Sequence, residues 1–250
     1  MASEQPGLSE LEVLPLYRVA RVPIYVTRLR SRLFLLALVA IDIVFIVAHL
    51  VATLPEVRAL APGGVPANLD IGLVANLPWA WSLLKLVVGA ALTALMVRAH
   101  PVDRRPGLFW RLAAAVLAAL TLAEAAQLHI LWAAGVAPLI FGIEAPQLYG
   151  LLSRLLPLEL IVLAGIAVSA RRSPGAIGAF VLAGLLFVVS EGPIPASIIE
   201  AVGGVFTVDT LATAWRGGID ALGISFLVAA IAFAICDCQA VSVRYVYHGG

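Results

Sequence analysis

Five stretches of this chain are apolar for long enough to cross a lipid bilayer, and that property limits the fold more than any other. A spanning helix needs about 20 mostly apolar residues, with about 17 as a floor, because its backbone polar groups must be satisfied internally within hydrocarbon. Phe34–Leu54, Trp79–Val97, Phe109–Leu131, Gly150–Ser169 and Gly218–Cys238 reach that length. A sixth run, Gly175–Ser190, is shorter. It either stops at Pro193 and Pro195 or continues past them through Ala196–Val202 as a broken helix. Composition agrees: 62% of residues are apolar and 12% charged, against about 45–50% and about 25% in soluble domains. The expected fold is all-α, a polytopic transmembrane helix bundle of about six spans over residues 33–238. A basic membrane-surface arm (1–32) and a tail (239–250) flank it.

Arginine sets the expected orientation. Arg18, Arg21, Arg28, Arg30 and Arg32 precede the first span; Arg98, Arg104, Arg105 and Arg111 flank the second loop; Arg171, Arg172 and Arg244 follow on the same side. The other side holds Arg58 and Arg216, with Arg154 at the membrane edge. By the positive-inside bias both termini are cytoplasmic, which is consistent with an even number of spans. No cleavable signal is expected within residues 1–32, which lack an apolar core after a basic start. That stretch reads as an arm on anionic headgroups or as a docking arm for a partner. The localisation this implies is a bacterial cytoplasmic (inner) membrane.

A net charge of +1 gives no basis for binding nucleic acid, and two cysteines exclude a disulfide framework. Cys236 and Cys238 flank Asp237 and point in different directions on a helix, so free or palmitoylated thiols are expected. The expected partners are the lipid bilayer and other membrane subunits.

Ionisable groups inside a span cost about 2.5–3.5 kcal/mol each at the helix centre, so each needs a reason. Lys85, the sole lysine, lies six residues below the outer end of its span. Glu124 lies seven residues from the outer end of the third span, with Gln127 and His129 above it. Arg154 and Glu159 are four and nine residues into the fourth. Asp42, Arg111 and Asp237 belong to the inner side. Lys85 and Arg154 can therefore neutralise Glu124 and Glu159 in an outer-half polar cluster. That cluster either holds the helices in register or forms an outward-open pocket for a small ligand. For Lys85 alone, snorkelling to the outer headgroups is the simplest expectation.

His49 and His129, on different spans at similar depth, have the minimum geometry for bis-histidine haem or part of a metal site with Glu124. Glu124 and His129 are five residues apart, about 140° around a helix, so they do not readily chelate one ion together. No cofactor is required by the sequence. Ala114, Ala115, Ala118 and Ala119 form small-xxx-small pairs that place the third span centrally. Trp79, Trp81, Trp110, Trp132 and Trp215 read as an interfacial belt.

Several phrases together resemble an uncharacterised family of six-span bacterial integral membrane proteins. They are Asn68-Leu69-Asp70, then Asn76-Leu77-Pro78 with Ser82, Leu120-Thr121-Leu122-Ala123-Glu124 followed by His129-Ile130, Glu200-Ala201-Val202-Gly203-Gly204, and Ile219-Asp220-Ala221-Leu222-Gly223. The resemblance spans about residues 34–235 and implies a fold and topology but no activity. Ala123 and Ile130 stand where the family pattern has acids, Lys85 interrupts a run of leucines, and Pro193 and Pro195 lie in an insertion.

Two functions follow. One is an integral membrane protein without a catalytic motif, an accessory subunit or binding protein. The alternative is a membrane-embedded transporter or metal- or haem-dependent enzyme using Glu124, His129, His49 and Lys85. A buried carboxylate is a suitable proton acceptor, but no nucleophile with an adjacent base is identifiable.

Overall fold

A computed structural model describes residues 17–23, 27–60, 69–71, 76–99, 105–126, 155–169, 173–237 and 242–248. The bundle is helical: α1 (Arg28–Thr53), α2 (Pro55–Leu60), α3 (Leu77–Ala99), α4 (Arg105–Ala125), α5 (Leu156–Ser169), α6 (Pro174–Glu191), α7 (Ala196–Val202) and α8 (Val208–Asp237). Among the described residues, α1, α3, α4, α6 and α8 are each long and apolar enough to span a membrane, while the apolar α5 is 14 residues long.

Local chemistry accounts for the helix ends. Thr27 caps α1, its hydroxyl accepting the Arg30 N–H at 3.2 Å. The helix stops at Leu54, which is extended because Pro55 follows. Asn76 Oδ1 accepts the Trp79 N–H at 3.0 Å and Pro78 sits in the first turn of α3. Ser173 caps α6 through the Ala176 N–H, with Pro174 at its first position. At the far end of α6, Gly192 terminates the helix and Pro193 and Pro195 prevent its resumption before Ala196. The sixth run thus stops before Pro193 and Pro195, and Ala196–Val202 forms a separate short helix, α7, with no buried residue.

The centre of the bundle is α8, which packs on α1, α3 and α6; α4 packs on α3 and α5, and α5 on α6. From Gly223 to Ile235 nearly every residue of α8 is buried. At 30 residues it is longer than the apolar run expected from Gly218, because Val208–Gly217 continues the helix beyond the strictly apolar segment. The third span is not central. On α4, Trp110, Ala113 and Leu117 face the core, whereas Ala115, Ala118 and Ala119 are exposed. A stripe of small residues permits close approach but does not say to which helix.

Outside the bundle, Tyr17–Pro23 (β1) and Ser242–His248 (β2) pair as an antiparallel ribbon, Tyr17 opposite His248 and Pro23 opposite Ser242. The segment before the first helix and the segment after the last are therefore on one side of the bundle. We call this side the arginine-rich end and the opposite side the far end.

Candidate functional site

The most enclosed polar constellation lies where α1, α3 and α8 converge. Lys85 Nζ donates to Asp42 Oδ1 at 2.7 Å, to the Ala221 carbonyl at 2.7 Å and to Ser225 Oγ at 3.1 Å. Ser225 in turn donates to Asp42 Oδ2 at 2.5 Å, and Trp81 Nε1 donates to Asp42 Oδ1 at 2.8 Å. The Lys85 ammonium also stands 5.9 Å from the Trp81 ring centroid, within cation–π range. Neither side chain of the ion pair is exposed at all. Both carboxylate oxygens and the ammonium are satisfied from three helices, the condition under which a buried ion pair is tolerated.

Lys85 therefore does not snorkel to the headgroups; its ammonium is held inside the bundle by Asp42. The first helix begins at Arg28 rather than Phe34, which puts Asp42 14 residues from one end of α1 and 11 from the other. At mid-span, water is further from either charge than the other charge is. Trp81 likewise serves the network rather than an interfacial belt, and Trp110 is 1% exposed. Trp215 donates from Nε1 to the Val189 carbonyl at 3.1 Å.

A second cluster closes the far end. His49 Nδ1 accepts the Ile71 N–H at 3.3 Å and lies 3.6 Å from Asp70 Oδ1. Asn76 Nδ2 donates to the Asp70 carbonyl while Asn76 Oδ1 caps α3. The short segment 69–71 thereby joins α1 to α3. It also lies against Gly217 of α8, where a Cβ would stand 2.3 Å from Ile71 Cγ2. An imidazole accepting at Nδ1 carries its proton on Nε2. That Nε2 is buried.

Between the far ends of α5, α6 and α8 is a cavity of about 220 Å³. Ser190, Glu191, Arg216 and Asp220 stand over Leu158 and Phe187 in its wall. Beside it, the Glu159 carboxyl packs on α6, its Oε2 3.1 Å from where a Cβ on Gly184 would lie, and Oε1 is buried without a hydrogen-bond partner among the described residues. Glu124 is half-buried near the last turn of α4. Gln127, His129 and Arg154 lie outside the described residues, as does Trp132. Of the expected outer cluster, then, Lys85 is drawn to α1 and α8, while Glu124 and Glu159 sit on neighbouring helices. Among the described residues no group of three His, Cys, Asp or Glu side chains is arranged for a metal ion.

A clasp at the arginine-rich end went unanticipated. Arg28 donates from Nε and Nη2 to Asp237 Oδ1 at 3.2 and 3.1 Å, and Ser173 Oγ donates to Asp237 Oδ2 at 2.5 Å. It ties the starts of α1 and α6 to the end of α8. Asp237 was legible as an inner-side acid, but its partners are 64 and 209 residues away in sequence, beyond any local signal.

Compared with protein-family profiles, curated proteins and solved structures, the chain matches none.

Proposed function

We propose that the chain is a non-catalytic integral protein of a bacterial cytoplasmic membrane, a six-span accessory subunit with both termini in the cytoplasm. The observation that carries this reading is the closure of the intramembrane ion pair. Lys85 spends its three donors on Asp42, Ala221 and Ser225, and Asp42 accepts from Lys85, Trp81 and Ser225, so among the described residues the pair is enclosed by its own helices. Such a network holds three helices in one register, a role buried ionic groups can fill at little net stability. Of the four residues the transporter or enzyme alternative requires, Lys85 is committed in this way and His49 is engaged at Nδ1.

The topology has independent support. Five helices are long and apolar enough to span; counting the shorter α5 as a sixth crossing gives an even number, which agrees with a ribbon that pairs β1 with β2 on one side. The arginine distribution puts that side in the cytoplasm. The outward alanines Ala115, Ala118 and Ala119 on α4 suit the close approach of a partner's helix.

Native mass spectrometry of the protein released gently from its own membrane tests the reading. The expected result is a mass above the 26.2 kDa monomer that includes another polypeptide and reverts to monomer in Ala115→Phe/Ala119→Phe. A bare monomer from the native membrane overturns it. A monomer that retains a small polar adduct favours a second reading, a ligand-binding protein using the cavity under Glu191, Arg216 and Asp220.

A further inference from the structure

At the arginine-rich end, α1, α6 and α8 leave a cavity of about 250 Å³ between them. Arg28 and Arg32 of α1 form one wall, Pro174 and Gly175 of α6 another, and Phe233 and Asp237 of α8 the third. Arginines four residues apart share a helix face, so both guanidiniums reach the same space. Their situations differ. Arg28 is held by Asp237 through Nε and Nη2, and Nη1 takes no part in that bond. Arg32 makes no hydrogen bond or ion pair among the described residues. Two guanidiniums against one carboxylate leave the wall net positive. Ser173 already caps α6, so the guanidiniums and not the helix end supply the positive charge of this wall.

The cavity is amphipathic in the direction of the bilayer. Arg28 and Arg32 lie in the first two turns of a spanning helix, at headgroup depth, where a cationic side chain gains about 1 kcal/mol from an anionic lipid surface. Phe233 lies four residues inside the end of α8 and supplies an apolar wall that an inorganic anion would not use. We propose that this cavity binds the phosphate headgroup of an anionic phospholipid, with Arg32 as the principal partner, Arg28 contributing through Nη1, and Phe233 against the glycerol and upper acyl chain. The inference rests only on α1 and α8 spanning the membrane, not on the accessory-subunit role.

The test uses the full chain, delipidated in a neutral detergent, titrated with phosphatidylglycerol or phosphatidylcholine and read by native mass spectrometry. One phosphatidylglycerol is expected to persist per chain, preferred over phosphatidylcholine by about fivefold or more. Arg32→Gln should remove that preference, Arg32→Lys should restore part of it, and Arg30→Gln, on the same helix but outside the cavity wall, should leave it unchanged. Arg32 is exposed, and an unchanged thermal midpoint in Arg32→Gln separates lost binding from lost fold. Equal retention of the two lipids, or a preference that survives Arg32→Gln, overturns the proposal. Displacement of the lipid by millimolar inorganic phosphate also overturns it, in favour of a small-anion site. Each of these outcomes is independent of whether a partner polypeptide is found.

Discussion

Lys85 on α3 and Asp42 on α1 meet at 2.7 Å with both side chains fully buried, roughly midway along their spans. Removing one member strands the other among apolar helices, which costs about 3–5 kcal/mol, whereas replacing both with apolar residues of similar volume is often close to neutral. Lys85→Met leaves Asp42 with the Trp81 and Ser225 donors; Asp42→Leu leaves the ammonium with one carbonyl and one hydroxyl. Each single substitution is expected to lose several kcal/mol in denaturant unfolding in bicelles. Asp42→Leu/Lys85→Met should lose less than either. Additive losses in that double-mutant cycle would mean the two groups do not depend on each other.

The sequence shows why this pair is needed but not which residues form it. Three mid-span polar residues, Asp42, Lys85 and Ser225, each interrupt an apolar run, and hydrocarbon obliges such groups to find partners. Depth counted from the ends of the apolar runs set Asp42 and Lys85 on opposite sides of mid-span, although the two side chains meet where α1 and α3 pack together. The apolar runs themselves became helices, with ends shifted by one or two residues in α3 and α6 but by six at the start of α1 and ten at the start of α8, since length and hydrophobicity act locally whereas a helix runs on to its cap. The order of packing was not legible. The alanines of α4 and the glycines of α8 are equally small, and only the large side chains opposite them, Phe187 and Ile46, select α8 for the centre.

Phe180 gives the α5–α6 contact a sharp steric signature. A Cβ on Gly165 would fall 2.6 Å from Phe180 Cζ, and Phe180 is wholly buried, so its ring has little room to yield. Gly165→Ala should cost about 1–3 kcal/mol through overpacking, and Phe180→Leu in the same chain should recover part of that loss. Gly178, with nothing within 4 Å of its would-be Cβ, is the control: Gly178→Ala should stay within about 0.5 kcal/mol of the parent. Thermal midpoints of the four proteins in one detergent decide the matter, and equal losses at Gly165 and Gly178 would refute the packing assignment.

Asn76 serves two bonds with one side chain. Its Oδ1 caps α3 and its Nδ2 holds the Asp70 carbonyl beneath His49. Asn76→Ala should lower stability by about 1 kcal/mol or somewhat more, the upper part of the range for losing a helix cap. Asn76→Asp keeps the acceptor but not the donor, so its loss should fall between those of the parent and the alanine variant. If Asn76→Asp is as damaging as Asn76→Ala, the cap contributes nothing and the Asp70 tie carries the whole effect.

The paired termini allow the crossings to be counted in living cells. With Cys236 and Cys238 replaced by alanine, single cysteines are placed at Arg30 and Arg98, on the arginine-rich end, and at Glu200 on α7, all three exposed. A membrane-impermeant maleimide added to intact cells is expected to label Glu200→Cys and to reach Arg30→Cys and Arg98→Cys only after the membrane is opened. Labelling of the two arginine positions alone would invert the orientation. Labelling of Arg30→Cys but not Arg98→Cys would put the two ends of α1 and α3 that share a side here on opposite sides. Neither the β1–β2 ribbon nor the Lys85–Asp42 contact could survive that arrangement, because the ion pair forms only when α1 and α3 run antiparallel through one membrane with their mid-spans level.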